Sequence, residues 1–245
     1  MPESEKPRAL VIHHLRPMID DVATKALAEA GYDLDHRFPI DGDPLPAPGD
    51  GHVLALMHGS LADVTKLDAP GIRAEHDWIE AWWKTERPFL GICHGLQLAC
   101  QVLGARVGPP EHGQAEFGYY PLRSQAPDLV PDGLNVFQWH YYGAGLPDGA
   151  ERLAGSDLYP NQIVRFGPRR MALQCHAELS LADQSFLLRT DPDGLKRPGA
   201  QDPDTLATKA REHFQTMQTW MSGFVDTWLA EAAPPHWDST CRAAR

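Results

Sequence analysis

Gly91-Ile92-Cys93-His94-Gly95 stands where an apolar run, Pro88 to Cys93, passes directly into a helix-like stretch, His94 to Leu103. Small residues flanking a cysteine at such a junction permit the tight strand-to-helix turn of a nucleophile elbow. The helix N-terminus favours the thiolate and offers backbone N–H groups to a developing oxyanion. A cysteine nucleophile needs a base, and the chain has 12 histidines. One of them is set apart by its neighbour: the apolar run Met171 to Gln174 leads into Cys175-His176-Ala177-Glu178. In extended backbone, residues i and i+2 face the same side, which predicts the Glu178 carboxylate beside the His176 imidazole. Cys100, two turns along the same predicted helix, and the tail residue Cys241 read as structural thiols. Cys93-His94 and Cys175-His176 are also soft-ligand pairs, but neighbours on a strand point to opposite faces and no usual ligand spacing is present, so no metal is expected. His13 and His14 read as structural histidines.

The elements that must position these residues alternate through the first hundred positions. Strands are predicted at Arg8–Leu15, Tyr32–Ile40, His52–His58 and Pro88–Cys93, and helices at Met18–Ala30, Gly71–Thr85 and His94–Leu103. That order predicts a parallel sheet with helices on both faces. Short β-type runs follow at Glu116–Leu122, Leu134–His140, Asn161–Phe166 and Met171–His176, then a helix at Leu179–Leu188 and a Pro/Gly/Asp loop at Asp191–Asp204. Apolar residues from Leu206 to Trp228 recur at helical spacing over Thr205–Ala232, and Pro234-Pro235 stops that helix. The whole chain, 1–245, reads as one domain with a core at about 8–188 and a helical tail at about 205–233.

Composition limits the function classes. The 245 residues are 42% apolar and 22% charged, an ordinary globular balance, and the formal charge of −11 disfavours nucleic acid and anionic membrane surfaces as partners. The polar start of the chain lacks the order of a signal peptide, no apolar run is long enough to span a bilayer, and four cysteines without a framework fit a reducing compartment. A cytoplasmic location is expected. No Gly-rich phosphate loop is present, so no nucleotide cofactor is expected.

Three segments in order, GICHGLQLA around Cys93, NVFQWH from Asn135 to His140, and QCHAE from Gln174 to Glu178, resemble the class I, triad-type glutamine amidotransferases. The likeness covers roughly Val53 to Ser180 and is greatest to stand-alone relatives of the glutaminase domain of GMP synthase. It implies an α/β, flavodoxin-like three-layer fold with a mostly parallel central sheet, a smaller antiparallel strand region and a C-terminal helix. It further implies Cys93 as nucleophile, His176 as general acid/base, Glu178 as its orienting partner, and Gln97 as a holder of the γ-glutamyl group. Gly59 and Ser60, in the loop Met57-His58-Gly59-Ser60, and the backbone of His94 would complete an oxyanion hole, and His140 would border the pocket. His58-Gly59-Ser60 stands where the family usually has a Gly-Gly-Pro type of sequence. His94 also resembles the A-I-C-H-G elbow of chaperone, deglycase and protease-like proteins of the same superfamily, a branch without the downstream His-x-Glu.

The implied reaction is hydrolysis of a γ-glutamyl amide through a Cys93 thioester, with release of ammonia. Glutamine or another γ-glutamyl small molecule is the expected substrate, and a separate synthase subunit the expected consumer of ammonia. Two alternatives stand beside it: a free-standing γ-glutamyl peptide or amine hydrolase, and a catalytically silent binding or regulatory homologue.

Overall fold

Alternate side chains of the first strand leave for opposite cores. In β1 (Arg8–Ile12), Ala9 and Val11 join one buried cluster, and Leu10 and Ile12 another. A strand buried on both faces belongs at the centre of a sheet with helices on each side. A computed structural model describes residues 6–232 and has that arrangement. After β1 come α1 (Val22–Glu29), β2 (Asp33–Arg37), β3 (His52–Met57), α2 (Pro70–Trp83), β4 (Phe89–Ile92) and α3 (His94–Val102). The strand-rich half contributes β5 (Val107–Gly108), β6 (Glu116–Pro121), β7 (Arg123–Ser124), β8 (Asn135–His140), β9 (Gly143–Ala144), β10 (Glu151–Gly155), β11 (Ile163–Arg165) and β12 (Arg170–Leu173). Two helices close the described chain, α4 (Leu181–Thr190) and α5 (Pro203–Ala232).

The main sheet runs β2-β1-β3-β4-β12-β11-β10-β7. Its first five strands are mutually parallel, in the doubly wound order of flavodoxin-like folds, and the last three continue it antiparallel. Two small antiparallel pairs, β6 with β8 and β5 with β9, form the separate strand region. Trp78, Ile79 and Trp82 of α2 and Leu98 and Ala99 of α3 cover one face of the sheet. Leu27 of α1 and Met217, Met221, Phe224, Val225 and Trp228 of α5 belong to the core on the other. The apolar stripe of the tail helix is thus spent on packing. Among the described residues no helix is long and apolar enough to cross a membrane.

Several boundaries differ from the sequence reading, each for a local reason. α1 begins at Val22, because the Asp21 side chain accepts hydrogen bonds from Ala23 and Thr24 N–H and so caps the helix there. α4 begins at Leu181, where Ser180 and Asp183 form a reciprocal capping box. β12 ends at Leu173, so His176 and Glu178 lie in a turn beyond the strand and not on extended backbone. Pro234, Pro235 and Cys241 lie outside the described residues.

The junction of β4 and α3 is the tightest point of the fold. An added Cβ at Gly95 would lie 2.7 Å from Met57 O on the neighbouring strand. Gly95→Ala should therefore destabilise the protein by about 1–3 kcal/mol through overpacking, outweighing the gain of up to about 1 kcal/mol that alanine brings to a helix. Urea unfolding compared with the wild type checks the sign.

Candidate active site

Four parallel strands deliver their carboxyl ends to one place, the edge at which doubly wound sheets hold ligands. β1 leads into His13 and His14, β3 into His58, Gly59 and Ser60, β4 into Cys93, and β12 into the turn carrying Gln174, His176 and Glu178. Cys93 occupies the N-cap of α3 with φ 49° and ψ −95°, a left-handed conformation that non-glycine residues rarely adopt. The residue is pinned from both sides, as its N–H donates to Leu173 O at 2.6 Å and its carbonyl accepts from Gln97 N–H at 2.9 Å.

His176 and Glu178 meet despite the turn. His176 Nδ1 is 2.9 Å from Glu178 Oε1, and the His176 N–H donates to Phe137 O at 2.8 Å, which ties the turn to β8. The other side of the imidazole lies near Cys93, the two side chains flanking the space above Gly59. Burial disfavours the imidazolium, but the Glu178 carboxylate and the Cys93 sulfur outweigh it and hold His176 well above its ordinary value. Gln174 Nε2 donates to Cys93 Sγ at 3.4 Å, and Gln97 Nε2 donates to Gln174 Oε1 at 3.2 Å. A side chain at position 59 would enter this arrangement: its Cβ would stand 2.5 Å from His176 Cε1 and 3.4 Å from Cys93 Cβ. Only glycine leaves the gap between thiol and imidazole clear.

Cys100 and Cys175 are also buried. Burial pushes the Cys100 thiol up to about 12 and that of Cys175 higher still, which keeps both protonated and inert at ordinary pH.

An open cavity of about 300 Å³ lies against Cys93, with Ser60, Gln97 and His140 in its lining. His140 is fixed there by Glu116, 3.2 Å away, and by Tyr142 O. The His94 side chain is turned away from that cavity and bonds Glu75 Oε2 at 2.8 Å, so only its backbone N–H is available to a ligand. Three cavity residues have no signal in the sequence motifs: Asp63, whose carboxylate accepts the Tyr142 hydroxyl at 3.1 Å, Asp191, and Arg197, whose guanidinium lies 4.3 Å from the centre of the Tyr141 ring. Among the described residues the only side chains grouped closely enough to share a metal ion are His14, Glu75 and His94, whose ligand atoms lie within 4.8 Å of one another. That cluster joins positions far apart in the chain and takes only His94 from the two dipeptides considered from the sequence.

Residues 66–190, half of the chain, match the model of the glutamine amidotransferase class-I family. The chain belongs to that family. Curated relatives include the glutamine amidotransferase-like protein YfeJ of Salmonella typhimurium, 27% identical over 81% of this chain and 87% of that protein. The GMP synthase of Prochlorococcus marinus is 36% identical over 40% of this chain, and the match spans only 19% of the synthase. A solved glutamine amidotransferase of Thermotoga maritima superposes with a TM-score of 0.80 at 26% identity, over 92% of this chain and 99% of that one. The glutamine amidotransferase structure of Methylobacillus flagellatus, at 20% identity and a TM-score of 0.85 over 96% of this chain and 99% of that one, shares the fold. The amidotransferase matched region begins beyond β3 and ends with α4, so the Gly59 loop and the Arg197 segment both lie outside it.

The raised His176 pKa has a stability consequence. The folded chain keeps a proton that an unfolded histidine releases near 6.5, so this pair stabilises fully below that pH and its contribution is lost as pH rises through the folded value. Glu178→Gln should lower the His176 titration midpoint, because burial then faces one countercharge fewer. An NMR titration of the His176 ring protons in both proteins measures it; an unchanged midpoint would contradict the assigned cause.

Proposed function

We propose that this class I glutamine amidotransferase hydrolyses the side-chain amide of glutamine through a thioester on Cys93. The observation that carries the reading is the grouping of Cys93, His176 and Glu178 at a strained strand-to-helix turn. Cys93 Sγ, as thiolate, bonds to the amide carbon, and the carbonyl oxygen takes the charge. Backbone N–H groups of the Gly59–Ser60 segment and of His94 stabilise it. His176 gives its proton to the amide nitrogen, the C–N bond breaks, and ammonia leaves. Neutral His176 then takes a proton from water as its oxygen attacks the thioester carbon; the C–S bond breaks, releasing glutamate and the thiolate. Glu178 keeps the imidazole in the orientation both steps need. Gln97, through Gln174, fixes the floor beside the thiol.

The cavity also supports an assignment for the amino-acid end of the substrate. Glutamine carries a carboxylate and an ammonium, and Arg197 is the one lysine or arginine in the lining, with no carboxylate in ion-pair reach among the described residues. Arg197 takes the α-carboxylate, while Asp63 and Asp191 face the ammonium. The chain spans only about a fifth of the GMP synthases it matches; in this reading a separate synthase subunit consumes the ammonia. A second reading, a free-standing γ-glutamyl peptide or amine hydrolase, is favoured by the extension of the cavity past Cys93 to Tyr141 and Tyr142, which leaves room for a substituent on the amide nitrogen.

Ammonia release from glutamine, measured beside cleavage of a γ-glutamyl peptide panel, separates these. Cys93→Ala should abolish turnover of either substrate while binding persists, and a diazoketone analogue of glutamine should add mass to wild-type Cys93. Turnover retained by Cys93→Ala would refute the mechanism, and the absence of any labelling would support a silent homologue. Arg197→Ala should raise KM for glutamine about 10- to 100-fold, the scale of one lost charged hydrogen bond, with kcat held within about twofold. A KM equal to that of the wild type would remove Arg197 from substrate binding.

A further inference from the structure

Glu75 takes no part in the chemistry above, yet its carboxylate has no exposed surface. Its oxygens are shared between two histidines from different elements: Oε1 is 2.7 Å from Nε2 of His14, just past β1, and Oε2 is 2.8 Å from Nε2 of His94, the first residue of α3. His14 Nδ1 in turn is 3.0 Å from Gly59 O. A carbonyl and a carboxylate both accept, so the geometry calls on both His14 nitrogens as donors. Burial alone would raise the Glu75 pKa, but the His14 charge and the two histidine hydrogen bonds hold it well below the carboxylate range. His94, kept neutral by burial, spends its single N–H on Glu75 and leaves Nδ1 unpartnered.

Both ends of this chain of hydrogen bonds stop at backbone that the proposed mechanism uses. C=O and N–H of a trans peptide point in opposite directions, so holding Gly59 O on His14 fixes where the next N–H, that of Ser60, points. Ser60 lines the cavity beside Cys93. Holding the His94 ring fixes the first turn of α3, whose N–H groups have no helical partner. We propose that Glu75 is a positioning residue which, through His14 and His94, locks both oxyanion-binding segments in register with each other; this rests on the hydrolytic reading above. It explains the two departures from the family pattern together: a loop without the stiff Gly-Gly-Pro sequence is held from behind, and the unusual His94 is one of the holders.

The test uses the full chain and three readouts: kcat and KM for glutamine, the rate at which iodoacetamide alkylates Cys93, and bound metal by mass spectrometry. Glu75→Gln keeps the shape but loses the charge and one acceptor. It should lower kcat about 10²-fold, the scale of a lost oxyanion donor, with KM within about threefold and alkylation within twofold, since alkylation needs no oxyanion site. His14→Leu, which removes the donor to the Gly59 carbonyl, should do the same and carries the test if Glu75→Gln does not fold. The double variant should be no slower than the worse single one. An unchanged kcat, alkylation that falls in parallel with kcat, multiplicative losses, or one metal ion per wild-type chain that disappears in Glu75→Gln would each overturn the lock. If wild-type Cys93 alkylates but no γ-glutamyl compound is turned over, the hydrolytic reading fails and the lock with it; loss of the lock alone requires an active wild type.

Discussion

Cys93 is held in a backbone conformation that costs on the order of 1–3 kcal/mol, and the residues around it are arranged so that it has nowhere to relax. Its N–H is committed to β12 and its carbonyl to the next turn of α3, while Gly95 presses the helix against Met57 of β3. Three neighbouring strands of the parallel sheet therefore meet at one residue. The sheet's register sets this geometry: Gly91 of β4 pairs with Met57 of β3 and Ala172 of β12, so the strand ends that follow them reach the elbow together. A strained thiol lifted off the sheet is the reason the flanking positions are so small.

Burying charge around that thiol creates a second constraint. An ionised group removed from water is destabilising unless partners replace the lost hydration, and the penalty for breaking such a pair exceeds the gain from making it. The site meets this by sharing. Glu178 serves His176, Glu75 serves His14 and His94, and Glu116 serves His140. Three carboxylates and four histidines thus surround the thiol in separate small sets. The Glu75 and Glu116 sets tie separate elements of the chain, so there the electrostatics of the site and the docking of its elements are the same contacts.

Which of this was legible in the sequence follows from distance along the chain. The elbow was readable because strand, small residues, cysteine and helix are contiguous, and His176 with Glu178 because they are two residues apart. Extended backbone is nonetheless not what joins them: β12 stops at Leu173 and a turn brings the pair together. The doubly wound half followed from its alternation of strands and helices. His14 and Glu75, 61 positions apart, gave no signal, because nothing local relates the end of β1 to the buried side of α2. Arg197 was hidden in a loop rich in proline and glycine, where turn chemistry explains the composition without reference to a ligand.

That loop is no loose appendage. Ala115 N–H donates to Pro198 O, and Gln201 bonds the backbone of Phe117 and Tyr119 on β6, so the segment is laid across the hairpin as a fixed wall. It lies past the end of the family-matched region, whereas Cys93, His176 and Glu178 lie inside it. In the proposed mechanism the reacting side chains and the cavity wall that carries Arg197 therefore come from separate stretches of chain. The wall can thus be recut without disturbing the residues that the family-matched region holds around Cys93, as its own bonds run to Ala115, Phe117 and Tyr119 and not to the elbow.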